Sequence, residues 1–537
     1  MKNAILRLFA LLTAVLLLAG VPLAYAADGF DTAYTYTYDF WEDMRASPDA
    51  YRPKALLTGA SLGLTKEMVA PSSLFVKGND LYICDSGNNR ILQVRLENDE
   101  FTLVREISSF VGECTDVKIG TVGGTPMLVR VEDVQNHTVI IDEGTELAEP
   151  VNTFKKPTDI YVDKDGMLYI ADQDNNRVLK LDENLNYQCS FIKPTDPTFD
   201  QGKSFMPTKL VADVSGRVFC LANTINMGVM KYEANGVFTG FIGAKPQTLT
   251  AAQILLRLIS TKEQRAKQVS SVATEYHNIA IDELGFFYVV TNKTFEEAEL
   301  MNGDAEPIRR LNSLGTNILI ENGTFPPVGD VQWAGGNLNI KPAGHSHFID
   351  VTVLENDIYV ALDVLHSRIF GYDKQGNMLW AFGGIGSAEG YFRGDHAVSI
   401  EHMGNDLLIL DDQGCSVTVM TPTEYGELIY RANHLYSIGN YPGSAEVWKQ
   451  VLNRNANYDL AYIGIGRAEL QMGNYEKACE YFKMARDDEN YSEAFRYYRS
   501  ELVEKNIGWI FAIVVVVLVV PVAWGRIKKI KWEVDNA

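Results

Sequence analysis

Residues 81–94 read LYICDSGNNRILQV, and residues 168–181 read LYIADQDNNRVLKL, a near copy within one chain. A segment repeated this closely is one unit of an array, too small to bury its own apolar face and stable only when packed on its neighbours. Tyr82, Ile83 and Cys84 in one copy, and Tyr169, Ile170 and Ala171 in the other, form a strand. The D-x-x-N-N-R stretch then punctuates, and the apolar pattern resumes at Ile91 and Val178, so each copy is hairpin-sized.

Weaker copies keep the same offsets, an Asp followed five residues later by Arg or a substitute and then by a β-branched residue. Asp133 with Val139, Asp363 with Ile369 and Asp411 with Val417 fit, and VFCLAN (218–223) and FFYVVTN (286–292) are degenerate forms. A short strand precedes each copy. Taking Leu74, Val117, Ile160, Leu210, Ile279, Val351 and Val398 as equivalent gives seven units, with a first spacing of about 43 residues. Such a period, with several short strands per unit, predicts an all-β propeller over residues 27–425. Six or seven blades are compatible and seven is favoured, because six would leave one of these strands outside the ring. The alternating run from Tyr34 to Phe40 is expected to complete the last blade, since an open ring would expose two sheet edges.

The apolar-Y-[IV]-A-D-x-x-N-x-R-[IV] run resembles the signature of NHL-repeat β-propellers, over roughly residues 30–425. That resemblance implies an interaction scaffold. Because the Asp and Arg recur from blade to blade, Asp85 with Arg90, Asp172 with Arg177 and Asp363 with Arg368 are assigned to structure, pinning the strand turn through charge-assisted hydrogen bonds.

From residue 426 the pattern becomes helical. Gly439 and Gly473, Tyr441 and Tyr475, Ala445 and Cys479, and Trp448 and Phe482 repeat at a common offset. Tyr462, Gly466, Gly473, Tyr475, Ala478, Phe482 and Ala485 resemble the defining positions of a tetratricopeptide (TPR) repeat, which implies a TPR-like module over 426–505 that serves as a peptide groove or a stalk. Ser444 departs from the small apolar residue usual there. Inside the propeller, residues 248–272 read as a helical insert.

The ends of the chain address it to a membrane. Residues 1–26 have the basic start, short apolar run and Ala24-Tyr25-Ala26 site of a secretory signal. Residues 507–525 carry no charge and suit a transmembrane helix, with Trp509 and Trp524 at its borders. Arg526, Lys528, Lys529 and Lys531 follow, so residues 526–537 are read as a cytoplasmic tail and the bulk as extracellular, on a single-pass cell-membrane protein. Between signal and tail, 42 basic residues face 67 acidic ones, a balance that excludes nucleic acid as a partner. The six cysteines show no paired or metal-ligand spacing, and most of them read as buried thiols.

Residues just before each innermost strand rim a propeller's channel. Asp116, Asp159, Lys209, Asn278 and Asp350, with His277 and His396, are therefore the candidate ligand-binding set. Asp116, Asp159 and Asp350 offer oxygen ligands suited to calcium, the one metal this rim suggests; otherwise no cofactor is implied. No nucleophile elbow, P-loop, dinucleotide fingerprint or H-E-x-x-H occurs, and the sequence leans away from an enzyme. The expected function is a membrane-anchored binding or scaffold protein recognising a protein or glycan ligand. Proteins of similar layout are accessory to sugar-uptake ABC transporters, which makes a transporter subunit a candidate partner. The alternative is a metal-dependent sugar-lactone hydrolase, by similarity to six-bladed lactonases that hold one cation at the channel mouth.

Overall fold

The computed structural model describes residues 34–41, 44–122, 125–132, 151–196, 198–223, 225–243, 276–291, 293–320, 327–330, 344–355 and 358–536. The expected signal (1–26) and helical insert (248–272) lie outside them. The chain divides into two compact units, one of Met1–Thr37 with Asp49–Thr423, the other of Tyr38–Pro48 with Glu424–Ala537.

The first unit is a six-bladed β-propeller. Blade 1 is Ser73–Lys77, Asp80–Asp85, Arg90–Glu97 and Glu100–Ile107; blade 2 is Pro157–Val162, Leu168–Asp172, Arg177–Leu181 and Tyr187–Ile192. Blade 3 is Met206–Ala212, Val218–Asn223, Val229–Tyr232 and Phe238–Ile242, and blade 4 begins with Asn278–Ile281, Phe287–Val290 and Ile308–Leu311. Phe348–Val353, Tyr359–Asp363, Arg368–Tyr372 and Met378–Gly383 make blade 5. Blade 6 is Ala397–Met403, Asp406–Asp411 and Ser416–Pro422, completed by Tyr51–Thr58 from the N-terminal side. Within each blade the strands pair antiparallel, in chain order except where an N-terminal strand is added at the outer edge, and the first strands neighbour one another around the axis.

Seven units were expected, and the second of them, around Val117, is displaced from the ring. The hairpin Val117–Val122 and Thr125–Arg130 pairs only with itself among the described residues. Blade 1 meets blade 2 directly, Ser72 Oγ donating to Thr158 O at 2.9 Å and Ser73 Oγ to Asp159 Oδ1 at 2.6 Å. The hairpin instead docks beside the outer strand of blade 2, where Arg130 donates to Ser190 O and Ser190 N donates to Asp116. It occupies a full period of sequence without supplying an inner strand, which is why spacing alone counted it as a blade.

Closure also uses a different segment from the one expected. Tyr51–Thr58 pairs with Ser416–Pro422, while Thr35–Tyr38 adds to the outer edge of blade 5, Thr35 opposite Phe382. The closing strand was hidden by Arg52, Pro53 and Lys54, which break its alternation. A proline fits there because the strand is at an edge and Pro53 lies at a register shift.

The repeat fold follows from its residues. Asp172 is fully buried and accepts hydrogen bonds from Lys155 N (2.7 Å), Asn175 Nδ2 (2.8 Å) and Arg177 Nε (2.8 Å). Asp85 does the same for Val69 N, Asn88 and Arg90. One carboxylate thus ties the loop entering its blade to the hairpin turn, and the second Asn of each N-N pair takes the left-handed conformation, Asn89 at φ 55° and Asn176 at φ 54°. In blade 5 the pairing differs from expectation: Asp363 holds His366 Nδ1 at 2.7 Å, and Arg368 pairs with Asp330. The apolar core lies between adjacent sheets, as in the cluster of Ile91, Val117, Ile160, Ile170 and Leu179 between blades 1 and 2. All six cysteines are free thiols, four of them buried.

The second unit is helical: Glu424–Ser437, Tyr441–Arg454, Asp459–Gln471, Tyr475–Met484 and Asp488–Asp535 pack each on the next over the stack. Tight approach requires glycine at Gly466, where an added Cβ would stand 2.7 Å from the Phe482 ring. Buried Ser444 is tolerated because its hydroxyl donates to Ala432 O at 2.8 Å. Asp488–Asp535 is, among the described residues, the one helix long and apolar enough to cross a membrane.

Candidate functional site

One residue from each blade forms a ring across the channel: Ser73, Asp159, Lys209, Asn278, Asp350 and Ser399. In blades 2, 3, 5 and 6 the register between the first two strands shifts immediately ahead of this residue, at Pro157/Asp159, Pro207/Lys209, Phe348/Asp350 and Ala397/Ser399. A β-bulge re-aims the side chain that follows it, here toward neighbouring blades. The expected rim used Val398 as the reference in the last blade and so placed Ala397 in the ring; the bulge makes Ile400 the equivalent of Ile160, and Ser399 the ring member.

The ring binds itself. Asp159 accepts from Ser73 Oγ and from Leu210 N at 2.8 Å, and Lys209 Nζ, 3.9 Å from Asp159 Oδ1, donates to Ser73 Oγ at 2.7 Å. Asp350 accepts from Asn278 Nδ2, Val351 N (2.7 Å), Ser399 Oγ (2.7 Å) and Ile400 N (2.8 Å). Leu74 N donates to Ser399 Oγ at 3.2 Å, returning to blade 1. Burial raises both carboxyls, opposed by Lys209 and by these donors. Each carboxylate is therefore compensated by groups of adjoining blades.

Asp159, Lys209, Asn278 and Asp350 of the expected set come together. Asp116 does not join them: it lies on the displaced hairpin, bound to Tyr187 OH, Ser190 N and Arg130. His277 precedes the ring residue Asn278 and is absent from the cavity wall, and His396 bonds Asp412 Oδ1 through Nδ1 at 2.8 Å. His277 is exposed to solvent, and the surrounding protein and, after it, Lys209 lower its imidazole from the ordinary value. No group of three or more His, Cys, Asp or Glu among the described residues is placed to hold a metal ion. With Asp116 elsewhere and the oxygens of Asp159 and Asp350 already accepting N–H and O–H donors, these residues do not fit the calcium site considered from sequence.

Above the ring the channel widens into a cavity of about 750 Å³. Its wall includes Phe75, Tyr161, Thr352, Glu401 and His402. Glu401 and His402 follow the ring residue of blade 6 and were not singled out by sequence reasoning, although a Glu-His pair inside an inner strand is itself unusual for a packed sheet. Thr352 Oγ1 lies 3.2 Å from Glu401 Oε2 and 2.7 Å from His402 Nδ1, and His402 N donates to Glu401 Oε2 at 3.0 Å. Burial raises the Glu401 carboxyl to about 8, helped by Asp350 and Asp159, and burial lowers His402 to about 4. At neutral pH both side chains are therefore uncharged and available as hydrogen-bonding groups.

No family model matches the chain, and no curated protein does. Among solved structures it is similar to virginiamycin B lyase from Staphylococcus aureus, at 11% identity and TM-score 0.36, covering 68% of this chain and 98% of that one. A structure described as a gluconolactonase gives 9% identity and TM-score 0.36 over 70% of this chain and 94% of that one. The extracellular domain of a hybrid two-component system from Bacteroides thetaiotaomicron gives 12% and 0.33, over 68% of this chain and 42% of that one. The activities named there belong to those proteins. The propeller assignment here rests on the strand pairings.

Proposed function

We propose that this chain is a single-span envelope protein whose NHL-like propeller faces out of the cell and recognises a ligand. The observation that carries the reading is the contrast inside the channel: a floor whose carboxylates are satisfied by adjoining blades, under a cavity whose wall keeps polar groups available. A floor of that kind stabilises the ring, while the cavity matches the size and mixed polarity of small-molecule sites. The secretory signal at 1–26, the apolar stretch 507–525 and the basic tail 526–537 support an extracellular propeller with a cytoplasmic C-terminus. The helical unit, in its TPR-like reading, serves as a stalk or a peptide groove, and a sugar-uptake ABC transporter subunit is the membrane partner proposed.

Affinity capture of the full chain from native membranes, with protease treatment of intact protoplasts, tests this. Co-purification of a specific transporter or glycan, and digestion of all but the anchor and tail, is expected. A protected propeller would contradict the orientation. Metal-dependent hydrolysis of a lactone panel, lost on chelation, would contradict the binding role.

A further inference from the structure

Two walls of the cavity differ in chemistry. On one, Thr352 joins Glu401 Oε2 to His402 Nδ1, while Glu401 Oε1 and His402 Nε2 have no hydrogen-bond partner among the described residues. On the other, Phe75 and Tyr161 stand with ring centroids 5.0 Å apart, both partly exposed.

The single hydroxyl proton of Thr352 couples the polar pair. With Glu401 neutral, its Oε2–H donates to Thr352 Oγ1, Thr352 donates to His402 Nδ1, and the imidazole proton sits on Nε2. The wall then offers an acceptor at Oε1 beside a donor at Nε2. With Glu401 ionised, Thr352 donates to Oε2, His402 Nδ1–H donates to Thr352, and both outer atoms become acceptors. The groups facing Glu401 are His402 on its own strand, Thr352 and Asp350 from blade 5, and Asp159 from blade 2. Their acidic balance and burial favour the neutral arrangement near pH 7.

We propose that this cavity binds a neutral sugar of one or two rings, with a ring face against Phe75 and Tyr161 and neighbouring hydroxyls on Glu401 Oε1 and His402 Nε2. The inference rests on the recognition reading above and gives it a ligand class. A hydroxyl both donates and accepts, so it suits an acceptor and a donor side by side, which an ammonium or a carboxylate does not. Exposed Glu283 and Glu355 at the cavity wall, against Lys77, disfavour sugar acids. The volume of about 750 Å³ accommodates such a ligand.

Calorimetric titration of the full chain in lipid nanodiscs, with D-glucose, D-galactose, maltose and lactose each to about 10 mM, tests it. At least one neutral sugar is expected to bind near pH 7, with D-gluconate bound more weakly. Glu401→Gln, which mimics the neutral carboxyl, should keep the affinity within about threefold, whereas Glu401→Ala and His402→Ala should each lose about tenfold. Raising the pH from about 7 to about 9 should weaken the wild type about tenfold, as the competent fraction falls, and leave Glu401→Gln unchanged. Absence of binding by all four sugars, indifference to both alanine variants, or a pH dependence that persists in Glu401→Gln would overturn the inference. A membrane partner captured equally by these variants would leave the recognition role standing while this site fell.

Discussion

Replacing Asp172 by Ala removes the buried anchor of blade 2 and strands a guanidinium. Arg177 is 1% exposed, its Nε is held at 2.8 Å by Asp172, and among the described residues the two remaining nitrogens reach only Cys114 Sγ and the carbonyls of Val151 and Thr153. The intact pair contributes little net, because burial works against both charges and pushes Asp172 up in spite of Arg177. Deleting one partner is different. Removing one partner of a buried pair costs about 3–5 kcal/mol, a range that includes the acceptors lost by Lys155 N and Asn175 Nδ2. Since the guanidinium keeps its carbonyl partners, the lower end applies, about 3–4 kcal/mol. At roughly 2 °C per kcal/mol for a domain of this size, the melting temperature should fall by about 6–8 °C. Asp363→Ala is the control. Asp363 is equally buried, but its partners are His366 and backbone N–H groups of His347 and Leu365, while Arg368 keeps Asp330, so no guanidinium is stranded. A loss of about 1–2 kcal/mol is expected there. Fluorescence-detected melting of both variants decides the matter: equal losses, or an unchanged Asp172→Ala, would show that a stranded Arg177 is not what costs stability.

Glu401 sets a pH dependence. Its folded pKa of about 8 lies above the unfolded value near 4.5, so the stability it contributes is complete below about 4.5 and lost as pH rises to 8; melting of Glu401→Gln should gain on wild type over that window. His402, depressed to about 4, acts oppositely, its contribution being present above about 6.5 and lost on acidification to 4, so His402→Gln should flatten the acid limb of the melting profile. Calcium at about 1 mM should move the melting temperature by less than about 1 °C. Asp350→Asn, which turns one of its oxygens into a donor facing donors, should cost about 1–3 kcal/mol with or without calcium, and a calcium-induced gain that this substitution abolishes would restore the metal site. In the helical unit, Gly466→Ala should destabilise by about 1–3 kcal/mol, read as faster proteolysis between its helices, because the new methyl meets Phe482.

The propeller was legible because one carboxylate does the same work in blade after blade, leaving D-x-x-N-N-R visible at Asp85 and Asp172. Its blade count was not, since the Val117–Arg130 hairpin fills a period of sequence but sits beside Tyr187–Ile192. Five ring residues, Ser73, Asp159, Lys209, Asn278 and Asp350, were legible from their place before an apolar strand residue. Ser399 was hidden by the bulge at Ala397/Ser399, which period-two counting cannot register. Asp363 and Arg368 kept the motif but exchanged partners, because His366 and Asp330 are brought close only by the fold. Glu401 and His402 escaped notice for a related reason: their meaning depends on Thr352 from the neighbouring blade, a contact 49 residues distant in the chain.

The claim that recognition takes place in the open half of the channel is tested most directly by filling it. Ala280 lines the cavity from blade 4 and is partly exposed, so Ala280→Trp should occupy the space while leaving the hydrogen-bonded ring intact. Full-length wild type and Ala280→Trp, checked for equal melting temperature, would be captured in parallel from native membranes and their bound glycans and proteins quantified by mass spectrometry. The wild type should retain a ligand that the filled variant loses. Identical retention by both proteins would contradict recognition inside the cavity.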